Sequence, residues 1–312
     1  MLGIKPTIVV FGCTGTVGTE VMRQLKNCNC LVRGVLRNPE RPYPVLADLG
    51  SSNISYVSAH LNSSESLKTA CAGADVVFLL TATSPNQVEH EIKIIDAAKK
   101  SGVRRIVKLS APIVPATAKV EVSEWHHKID YYLYENMDEF CCLRPHSFMQ
   151  NWERNTLTIQ YFGKIYGALA DAPRNYIDCR DVASAAVHYL LASEALKERS
   201  VVLAGPQAIT NIEMAAKLSQ VTGRKIDYVN LSADDFFDQL ISKAKLPEWL
   251  ARHLVELDHL AIKVPEPNRE TVSSLILRKP RIMEEYLQES RHLFTRKPLW
   301  KLVGTTARAI FG

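Results

Sequence analysis

Residues 7–18 read TIVVFGCTGTVG, an apolar run followed at once by a glycine-rich turn. Glycine stands at every third position of this turn, at Gly12, Gly15 and Gly18. A helical pattern then covers Thr19–Lys26, so the stretch predicts a strand, a tight turn and a helix. Glycine lets a ligand approach the backbone, and a helix N-terminus offers free N–H groups and a positive dipole. The stretch therefore predicts a binding site for a dinucleotide pyrophosphate, the alternative being a glycine-rich turn without a ligand.

The alternation of apolar runs and helical patterns continues as far as Leu109. Repeated βα units predict a parallel sheet, because each crossover helix must cover one of its faces. The runs Val76–Leu80 and Ile106–Leu109 are typical of central strands that are buried on both faces. We therefore predict an α/β protein with a doubly wound parallel sheet. The predicted strands are Thr7–Phe11, Leu31–Leu36, Ile54–Val57, Val76–Thr81 and Ile106–Leu109, and the predicted helices are Thr19–Lys26, Ser64–Ala72 and Asn86–Lys100.

The second half of the chain has a less regular pattern, with more helix than strand. We predict a dinucleotide-binding domain at residues 1–150, to which residues 176–205 return. A small, mainly helical substrate lobe is predicted at 151–175 and 206–294, followed by a basic amphipathic tail at 295–312. The helices predicted in this half are Glu124–Asn136, Asp181–Ala195, Asn211–Thr222, Asp234–Ala244 and Pro247–Leu257, and the strands are Phe140–Leu143, Val201–Ala204 and Ile226–Val229.

Composition and charge argue against several classes of protein. Of the 312 residues, 46% are apolar and 23% are charged, which is typical of a globular chain and not of a disordered or fibrous one. The net charge of +5 is too small to predict a nucleic-acid partner. The seven cysteines are odd in number and lack C-x-x-C spacing, so we predict no disulfide framework and no metal site. The expected location is the reducing cytoplasm.

The end of the second predicted strand bears on the choice of cofactor. An acidic residue there accepts hydrogen bonds from the ribose hydroxyls of NAD, whereas a basic residue binds the 2′-phosphate of NADP. The segment LVRGVLRNPER begins at Leu31 and carries no acid before Glu40. Arg37 lies 19 residues after Gly18, where the selecting side chain is expected, and Asn38 adds a second polar group. The sequence therefore predicts NADP(H) in preference to NAD(H), the alternative for Arg37 being a solvated charge.

Beyond the glycine turn, the chain contains the segments VLRNPE, GADVVFLLT, AAKKSGVRRIVKLSA, CLRPHSFMQNW, DCRDVASAAVHYLL and AGPQAITNIEMAAKLSQVTGRKIDYVNLS. In order and spacing they resemble the NmrA-like family of atypical short-chain dehydrogenase/reductases, over residues 7–294. The resemblance implies an extended Rossmann domain that binds NAD(P) and a small C-terminal substrate lobe. Family members include reductases of quinones, azo dyes and conjugated substrates. Others are transcriptional regulators or redox sensors that bind the dinucleotide without turning it over.

The resemblance also indicates which residues contact the cofactor. Typical members carry an Asp after the third strand, close to the adenine, where this chain has His60, Leu61 and Asn62. His60 or Asn62 is able to hydrogen-bond to the base in its place. Thr81 and Ala82 end the fourth strand and are expected beside the pyrophosphate or the adjacent ribose, the alternative being strand-end capping. The predicted cofactor contacts are Gly12, Thr14, Gly15, Thr16, Val17, Gly18, Arg37, Asn38, His60, Leu61, Thr81, Ala82 and Lys128.

Candidate catalytic residues lie in EWHHKID, residues 124–130. Ordinary short-chain dehydrogenases use Tyr-x-x-x-Lys, but none of the eleven tyrosines has a lysine four residues later. EWHHKID takes the place of that helix, and His126 and Asp130 share a helical face, so the carboxylate is able to orient the imidazole. The predicted proton donors are His126, His127 and Lys128, with Lys128 alternatively contacting the nicotinamide ribose. The remaining alternative is a solvated, self-paired helix face.

Ser110 and an aromatic segment complete the predicted site. Ser110 ends the fifth strand, where the nicotinamide half of the cofactor is expected, and strand-end capping is its alternative. A set of four residues that follows the sixth strand is predicted to line a pocket for a flat acceptor, with core packing as the alternative. They are Phe148, Met149, Asn151 and Trp152.

Two functions are consistent with these patterns. The first is an NADPH-dependent oxidoreductase that transfers a hydride to a small quinone-like, unsaturated or carbonyl acceptor. The second is a non-catalytic NADP(H)-sensing regulator that binds a protein partner. The expected partners are a small-molecule acceptor and a second copy of the chain in a homodimer, and no nucleic acid is expected. The tail at 295–312 holds four basic residues and no acid. It is therefore a candidate contact for a membrane surface or a protein. The alternative is a helix docked on its own protein or a frayed end.

Overall fold

The computed structural model describes residues 5–115, 118, 120–266 and 268–296, and the chain divides into two compact units. The first unit consists of the described residues of Met1–Phe148, Ile177–Pro206 and Arg269–Pro280. The second unit consists of the described residues of Met149–Tyr176, Gln207–Asn268 and Arg281–Gly312.

Strands and helices are numbered along the chain. The strands are β1 (Thr7–Val10), β2 (Leu31–Leu36), β3 (Ile54–Ser58), β4 (Val76–Leu79), β5 (Arg105–Leu109), β6 (Glu139–Pro145), β7 (Ser147–Phe148), β8 (Lys164–Gly167), β9 (Arg174–Ile177), β10 (Ser200–Leu203), β11 (Gln207–Ile209) and β12 (Asp227–Asn230). The helices are α1 (Thr16–Leu25), α2 (Ser64–Cys71), α3 (Gln87–Lys100), α4 (Glu121–Asn136), α5 (Cys179–Leu190), α6 (Asn211–Thr222), α7 (Ala233–Ser242), α8 (Glu248–Lys263), α9 (Ser273–Ile276), α10 (Met283–Glu289) and α11 (Arg291–Phe294).

A parallel sheet forms the centre of the first unit. Over the described residues it has seven strands in the order β3-β2-β1-β4-β5-β6-β10, and every neighbouring pair is parallel. The order reverses beside β1, and open α/β sheets bind their ligands at such a point, outside the carboxyl ends of the strands. This is the strand order of the Rossmann fold, and the predicted fold class is confirmed.

Helices cover both faces of this sheet, and its central strands β4 and β5 are buried at every position. Successive side chains of a strand point to opposite faces. Ile8 and Val10 of β1 therefore pack into the core beneath α1 and α5. Val9 and Phe11 pack into the core beneath α2, α3 and α4. Each large apolar side chain buried in this way stabilises the fold by about 1.5–3 kcal/mol.

The second unit has its own core and two small pairs of strands. β8 pairs with β12 in parallel, and β11 pairs with β9 antiparallel. α6 packs over this unit, and Thr210 and Glu213 form a capping box that satisfies backbone N–H groups at its N-terminus. The core includes Met214 and Leu218 of α6 and Tyr286 of α10. No helix among the described residues is both long and apolar enough to cross a membrane.

Three features of the fold differ from the sequence-based prediction. α1 begins at Thr16, three residues before the predicted start, because the glycine turn leads directly into the helix. The short strands β8, β9 and β11 were not predicted, since three or four residues are too few to show an alternating pattern. Residues 269–280 belong to the first unit, where Val272 is fully buried and the Thr271 hydroxyl accepts a hydrogen bond from the N–H of Ala204.

Candidate active site

The glycine turn joins β1 to α1, and its three glycines are not equivalent. Gly12 has a φ of +72°, and a Cβ there would lie 2.6 Å from the carbonyl oxygen of Leu80. A Cβ on Gly18 would lie 2.0 Å from the carbonyl oxygen of Gly12, so the turn itself requires glycine at both positions. At Gly15 the nearest atom would be the Gly12 oxygen at 3.4 Å, which is an ordinary contact. The local structure therefore leaves room for a side chain at Gly15.

The N-terminus of α1 follows this turn and is suited to an anion. Gly15 is the N-cap residue, and no side chain among the described residues caps the helix. The first turn carries no acidic residue, and Thr14, Gly15 and Thr16 are exposed, whereas Val17 is buried. The N–H groups of the first turn and the positive end of the helix dipole thus face a surface that a phosphate is able to reach. A dinucleotide pyrophosphate fits this arrangement.

The predicted cofactor-selecting residues lie at the carboxyl end of β2. Arg37 and Asn38 are both exposed. The main-chain oxygen of Arg37 accepts a hydrogen bond from Ser58 Oγ at 3.1 Å, which holds the strand end while the guanidinium extends into solvent. The side-chain oxygen of Asn38 accepts a hydrogen bond from the N–H of Glu40 at 3.0 Å. The side-chain carbonyl group of Asn38 is therefore already engaged in a local turn.

The residues predicted near the adenine and the pyrophosphate differ in exposure. His60 is exposed, and its main-chain N–H donates a hydrogen bond to Ser66 Oγ at 3.0 Å. Leu61 is half-buried and packs on the core beneath α2 and α3. Ala82 is exposed, but Thr81 is buried and its hydroxyl donates a hydrogen bond to the Glu91 carboxylate at 2.8 Å. The Thr81 hydroxyl therefore points into the protein.

A network of buried polar side chains lies where β4 and β5 end, beneath α4. It contains two carboxylates, an ammonium, a guanidinium and an imidazole, so its formal charges balance when the imidazole is neutral. Buried charges are tolerated when they are paired in this way. The network is named here the buried polar cluster and consists of Thr81, Gln87, Glu91, Lys108, Ser110, His126, Asp130 and Arg144.

Lys108 occupies the middle of the buried polar cluster and is fully buried. Its Nζ lies 2.8 Å from Nδ1 of His126 and 3.2 Å from the main-chain oxygen of Leu109. Two carboxylates approach the same ammonium, with Nζ 3.4 Å from Asp130 Oδ1 and 3.5 Å from Glu91 Oε2. The ammonium thus connects the imidazole to both acids of the cluster.

Asp130 links the cluster to the ends of β5 and β6. Its Oδ2 accepts a hydrogen bond from Ser110 Oγ at 2.7 Å and forms an ion pair with Arg144 Nη2 at 2.8 Å. Arg144 also donates hydrogen bonds to Ser200 Oγ and to the main-chain oxygen of Ala111, at 2.7 and 2.9 Å. Ser110 is therefore held by Asp130, the carboxylate that the sequence analysis paired with His126.

The structure brings some of the predicted catalytic residues together and separates others. His126 and Ser110 share the buried polar cluster, whereas His127 and Lys128 lie on the exposed face of α4. Asp130 is predicted to orient His126, and the structure places Lys108 Nζ at Nδ1 of His126. Sequence reasoning missed Lys108, although a charge inside the otherwise apolar predicted strand Ile106–Leu109 signals a buried ion pair. It also missed Glu91 and Arg144.

The residues predicted to line the acceptor pocket occupy different surroundings. Phe148 is half-buried against the core of the first unit. Met149 and Trp152 are buried in the core of the second unit, where the Trp152 ring lies 6.0 Å from that of Tyr176. Asn151 is exposed. Met149 and Trp152 thus contribute to packing.

An open crevice of about 500 Å³ lies between α4 and the edge of the sheet. Its walls include Asp130 and Arg144 of the buried polar cluster. Arg199 lines the same crevice, and its guanidinium lies 5.2 Å from the ring centres of both Tyr134 and Phe140. The crevice gives solvent a route to the Asp130–Arg144 pair.

Two buried cysteines, Cys13 of the glycine turn and Cys71 of α2, are not set up for thiolate chemistry. Burial raises the pKa of the Cys13 thiol to about 12, and its Sγ donates a hydrogen bond to the main-chain oxygen of Val35 at 3.2 Å. Burial likewise raises the pKa of Cys71 to about 12. Both therefore stay protonated near neutral pH. Of the predicted basic tail, residues 297–312 lie outside the described residues.

Comparison with known proteins agrees with this fold. An NAD(P)H azoreductase of Xenophilus azovorans is 29% identical over 254 residues, which are 81% of this chain and 87% of that protein. A (4-alkanoyl-5-oxo-2,5-dihydrofuran-3-yl)methyl phosphate reductase of Streptomyces griseus is 31% identical over 241 residues, 77% of this chain and 82% of that protein. The crystal structure of an NADPH-dependent quinone oxidoreductase of Escherichia coli has a TM-score of 0.78 and 25% identity, covering 92% of this chain and all of the other. The NmrA-like family matches residues 4–287, and the chain belongs to that family.

Proposed function

We propose that the protein is an NADPH-dependent oxidoreductase that transfers a hydride to a small quinone-like, unsaturated or carbonyl acceptor. One juxtaposition carries the proposal. The glycine turn lies at the carboxyl end of β1, and the buried polar cluster lies at the carboxyl ends of β4 and β5 in the same sheet. This edge is where open α/β sheets bind their ligands. The reductases among the relatives support the same activity.

In this proposal each part of the site has a separate role. The glycine turn and the N-terminus of α1 hold the pyrophosphate, and Arg37 binds the 2′-phosphate. His126 lies beside the acceptor and stabilises the negative charge that develops on the acceptor oxygen. Ser110 also lies beside the acceptor, but its hydroxyl proton is donated to Asp130. Lys128 contacts the nicotinamide ribose from the exposed face of α4. Bound NADPH supplies the hydride.

Calorimetric titration with NADPH, NADP⁺ and NADH, followed by NADPH oxidation with a panel of quinone, unsaturated and carbonyl acceptors, tests the proposal. Tight NADPH binding with turnover supports the oxidoreductase. Tight binding without turnover on any acceptor contradicts it and favours the NADP(H)-sensing regulator, which needs occupancy but no chemistry. An absence of binding contradicts both functions, because both depend on the glycine turn.

Replacing Arg37 with alanine should raise the dissociation constant for NADPH about tenfold or more, equivalent to about 1.4 kcal/mol. NADH binding should stay unchanged, because NADH has no 2′-phosphate for the guanidinium to contact. Isothermal titration of both cofactors measures the two effects. Arg41→Ala, a second exposed arginine in the following loop, is the matched control. An equal loss for both cofactors with Arg37→Ala contradicts the specificity proposal.

Replacing His126 with asparagine should lower kcat for quinone reduction about a hundredfold, because a donor aimed at a developing oxyanion contributes roughly that much. NADPH affinity should change by less than about threefold, since His126 is assigned to the acceptor and not to the cofactor. Stopped-flow NADPH oxidation and calorimetry separate the two quantities. Glu124→Gln, an exposed position on the same helix, is the control for a general effect on α4. Wild-type turnover in His126→Asn removes His126 from the site.

A further inference from the structure

We propose that Lys108 is a positioning residue that holds His126 as a neutral imidazole with its proton on Nε2, so that His126 acts as a neutral hydrogen-bond donor and not as an imidazolium acid. The chemical part of this inference rests on the proposed function. The part that concerns the state of the ring rests on the buried polar cluster alone.

The first argument is the direction of the hydrogen bond between the two side chains. Lys108 Nζ lies 2.8 Å from His126 Nδ1, and the lysine is fully buried. An ammonium group has N–H donors and no lone pair, so it is always the donor. Nδ1 must then be the acceptor and carry no proton. A neutral imidazole has one N–H, which is accordingly on Nε2.

The second argument is that the ammonium cannot turn away from the ring. Glu91 Oε2 lies 3.5 Å from Lys108 Nζ, on the side of α3. The other oxygen of Glu91 accepts hydrogen bonds from Thr81 Oγ1 at 2.8 Å and from Gln87 Nε2 at 3.1 Å. This carboxylate is therefore fixed, and it anchors the ammonium next to Nδ1.

The third argument is the balance of charge around the ring. The charged groups of the buried polar cluster are Glu91 from α3, Lys108 from β5, Arg144 from β6 and Asp130 from the same helix as His126. Two cations and two carboxylates already cancel. A proton on Nδ1 would place an N–H against the ammonium at 2.8 Å and leave the buried cluster with a net positive charge. The neutral ring is therefore favoured.

This tautomer changes the part that His126 plays in the proposed reduction. The hydride from NADPH carries two electrons to the acceptor, which becomes an oxyanion while NADPH becomes NADP⁺. The Nε2–H group stabilises that oxyanion by a hydrogen bond and keeps its proton. The proton that completes the reduced product comes from water. A neutral ring remains neutral through the cycle and needs no reprotonation.

The first test observes the ring directly and requires no activity. Long-range ¹H–¹⁵N spectra of the full chain labelled at histidine nitrogen distinguish a bare from a protonated ring nitrogen, and His126→Asn assigns the signal. Between about pH 5.5 and 8 we expect an unprotonated Nδ1 and a protonated Nε2 throughout, whereas an ordinary histidine titrates near about 6.5. A protonated Nδ1, or a ring that gains a second proton in this range, overturns the inference.

The second test removes the ammonium and keeps the charges balanced. In the double variant E91Q/K108M, Nδ1 loses its donor, and Glu91 is not left as an unpaired buried carboxylate. We expect His126 to titrate near about pH 6.5 in this variant, and quinone reduction to show a matching ionisation that the wild type lacks. Glu91→Gln alone is the control, because the glutamine oxygen still accepts a hydrogen bond from Lys108 and the variant should keep the wild-type spectrum. Unchanged spectra and pH profile in the double variant contradict the role of Lys108.

The two tests separate the two proposals. If the wild type shows the expected ring signals but no turnover, the proposed oxidoreductase fails and the tautomer assignment stands. The opposite result is also possible: the wild type turns over, but His126 gains a second proton and the reaction rate falls with the same ionisation. The tautomer assignment then fails and the proposed oxidoreductase stands.

Discussion

Replacing Gly18 with alanine is expected to abolish measurable NADPH binding and to destabilise the fold, whereas Gly15→Ala should weaken binding alone. A Cβ at Gly18 would lie 2.0 Å from one backbone atom and 2.7 Å from another, both belonging to Gly12, and neither is the end of a flexible side chain. The turn must shift to admit the methyl group, at about 1–3 kcal/mol. A displaced turn no longer presents the N–H groups of α1 to a pyrophosphate.

Gly15→Ala separates the effect on NADPH binding from the effect on the stability of the fold. The protein itself has room for a Cβ there, since the nearest atom is 3.4 Å away. A bound pyrophosphate would nevertheless lie against the backbone at this point, because Gly15 is the N-cap of α1. Gly15→Ala should therefore raise the dissociation constant for NADPH about tenfold or more, equivalent to about 1.4 kcal/mol, with an unchanged free energy of unfolding.

Calorimetry with NADPH and urea denaturation measure the two quantities for each variant. Gly50→Ala is the matched control, because no heavy atom beyond its two chain neighbours lies within 4 Å of the Cβ that it would add. Wild-type affinity in Gly15→Ala would show that the turn meets no ligand and that its glycines serve only the local structure. That outcome would remove the cofactor site from the proposed function.

The parallel sheet was predictable because its information is local. In Thr7–Val10 and Val76–Leu79 each strand is a short apolar run followed by a helical pattern, and both signals lie within about thirty residues of one another. The glycine turn is equally local, since Gly12 and Gly18 contact each other. The short strands β8 and β11 depend on partners far along the chain, and their own residues show no clear period.

The buried polar cluster was only half predictable, for a related reason. His126 and Asp130 are four residues apart on one helix, so their shared face follows from helical geometry. Lys108 reaches them from a strand 18 residues earlier, and Glu91 approaches from a third element. No spacing rule connects residues on three elements. The lysine in the apolar run IVKL shows that a buried partner is needed, but the fold decides which one.

Arg105, three residues before Lys108, is the second position where a large effect is expected. Arg105→Met should lower the free energy of unfolding by about 3–5 kcal/mol, the usual result of breaking a buried ion pair. Arg105 is fully buried on β5, and its guanidinium donates to Glu139 Oε1 through Nε at 2.9 Å and Nη2 at 2.6 Å. Its remaining N–H groups donate to the main-chain oxygens of Tyr189, Ala192 and Glu194, where α5 ends. The side chain therefore joins two strands to a helix C-terminus.

Arg104 is the matched control because it contacts the same carboxylate from the surface. Its Nη1 lies 2.8 Å from Glu139 Oε2, but half of its side chain is exposed. Arg104→Met should therefore lower the free energy of unfolding by less than about 1 kcal/mol. Urea denaturation of both variants measures the difference. Equal losses would show that burial of the Arg105 guanidinium adds nothing to the ion pair.

The same pair predicts how stability depends on pH. Burial alone would raise the pKa of Glu139, but the hydrogen bonds and charge of Arg105 outweigh burial and hold that pKa below its usual value. Because the folded pKa is the lower one, the stabilisation is complete above the unfolded pKa and is lost as pH falls through the folded pKa. The free energy of unfolding should thus fall below about pH 4.5, and Glu139→Gln should reduce that fall. An unaltered acid limb in Glu139→Gln would show that other carboxylates cause it, because a glutamine at position 139 has no proton to gain.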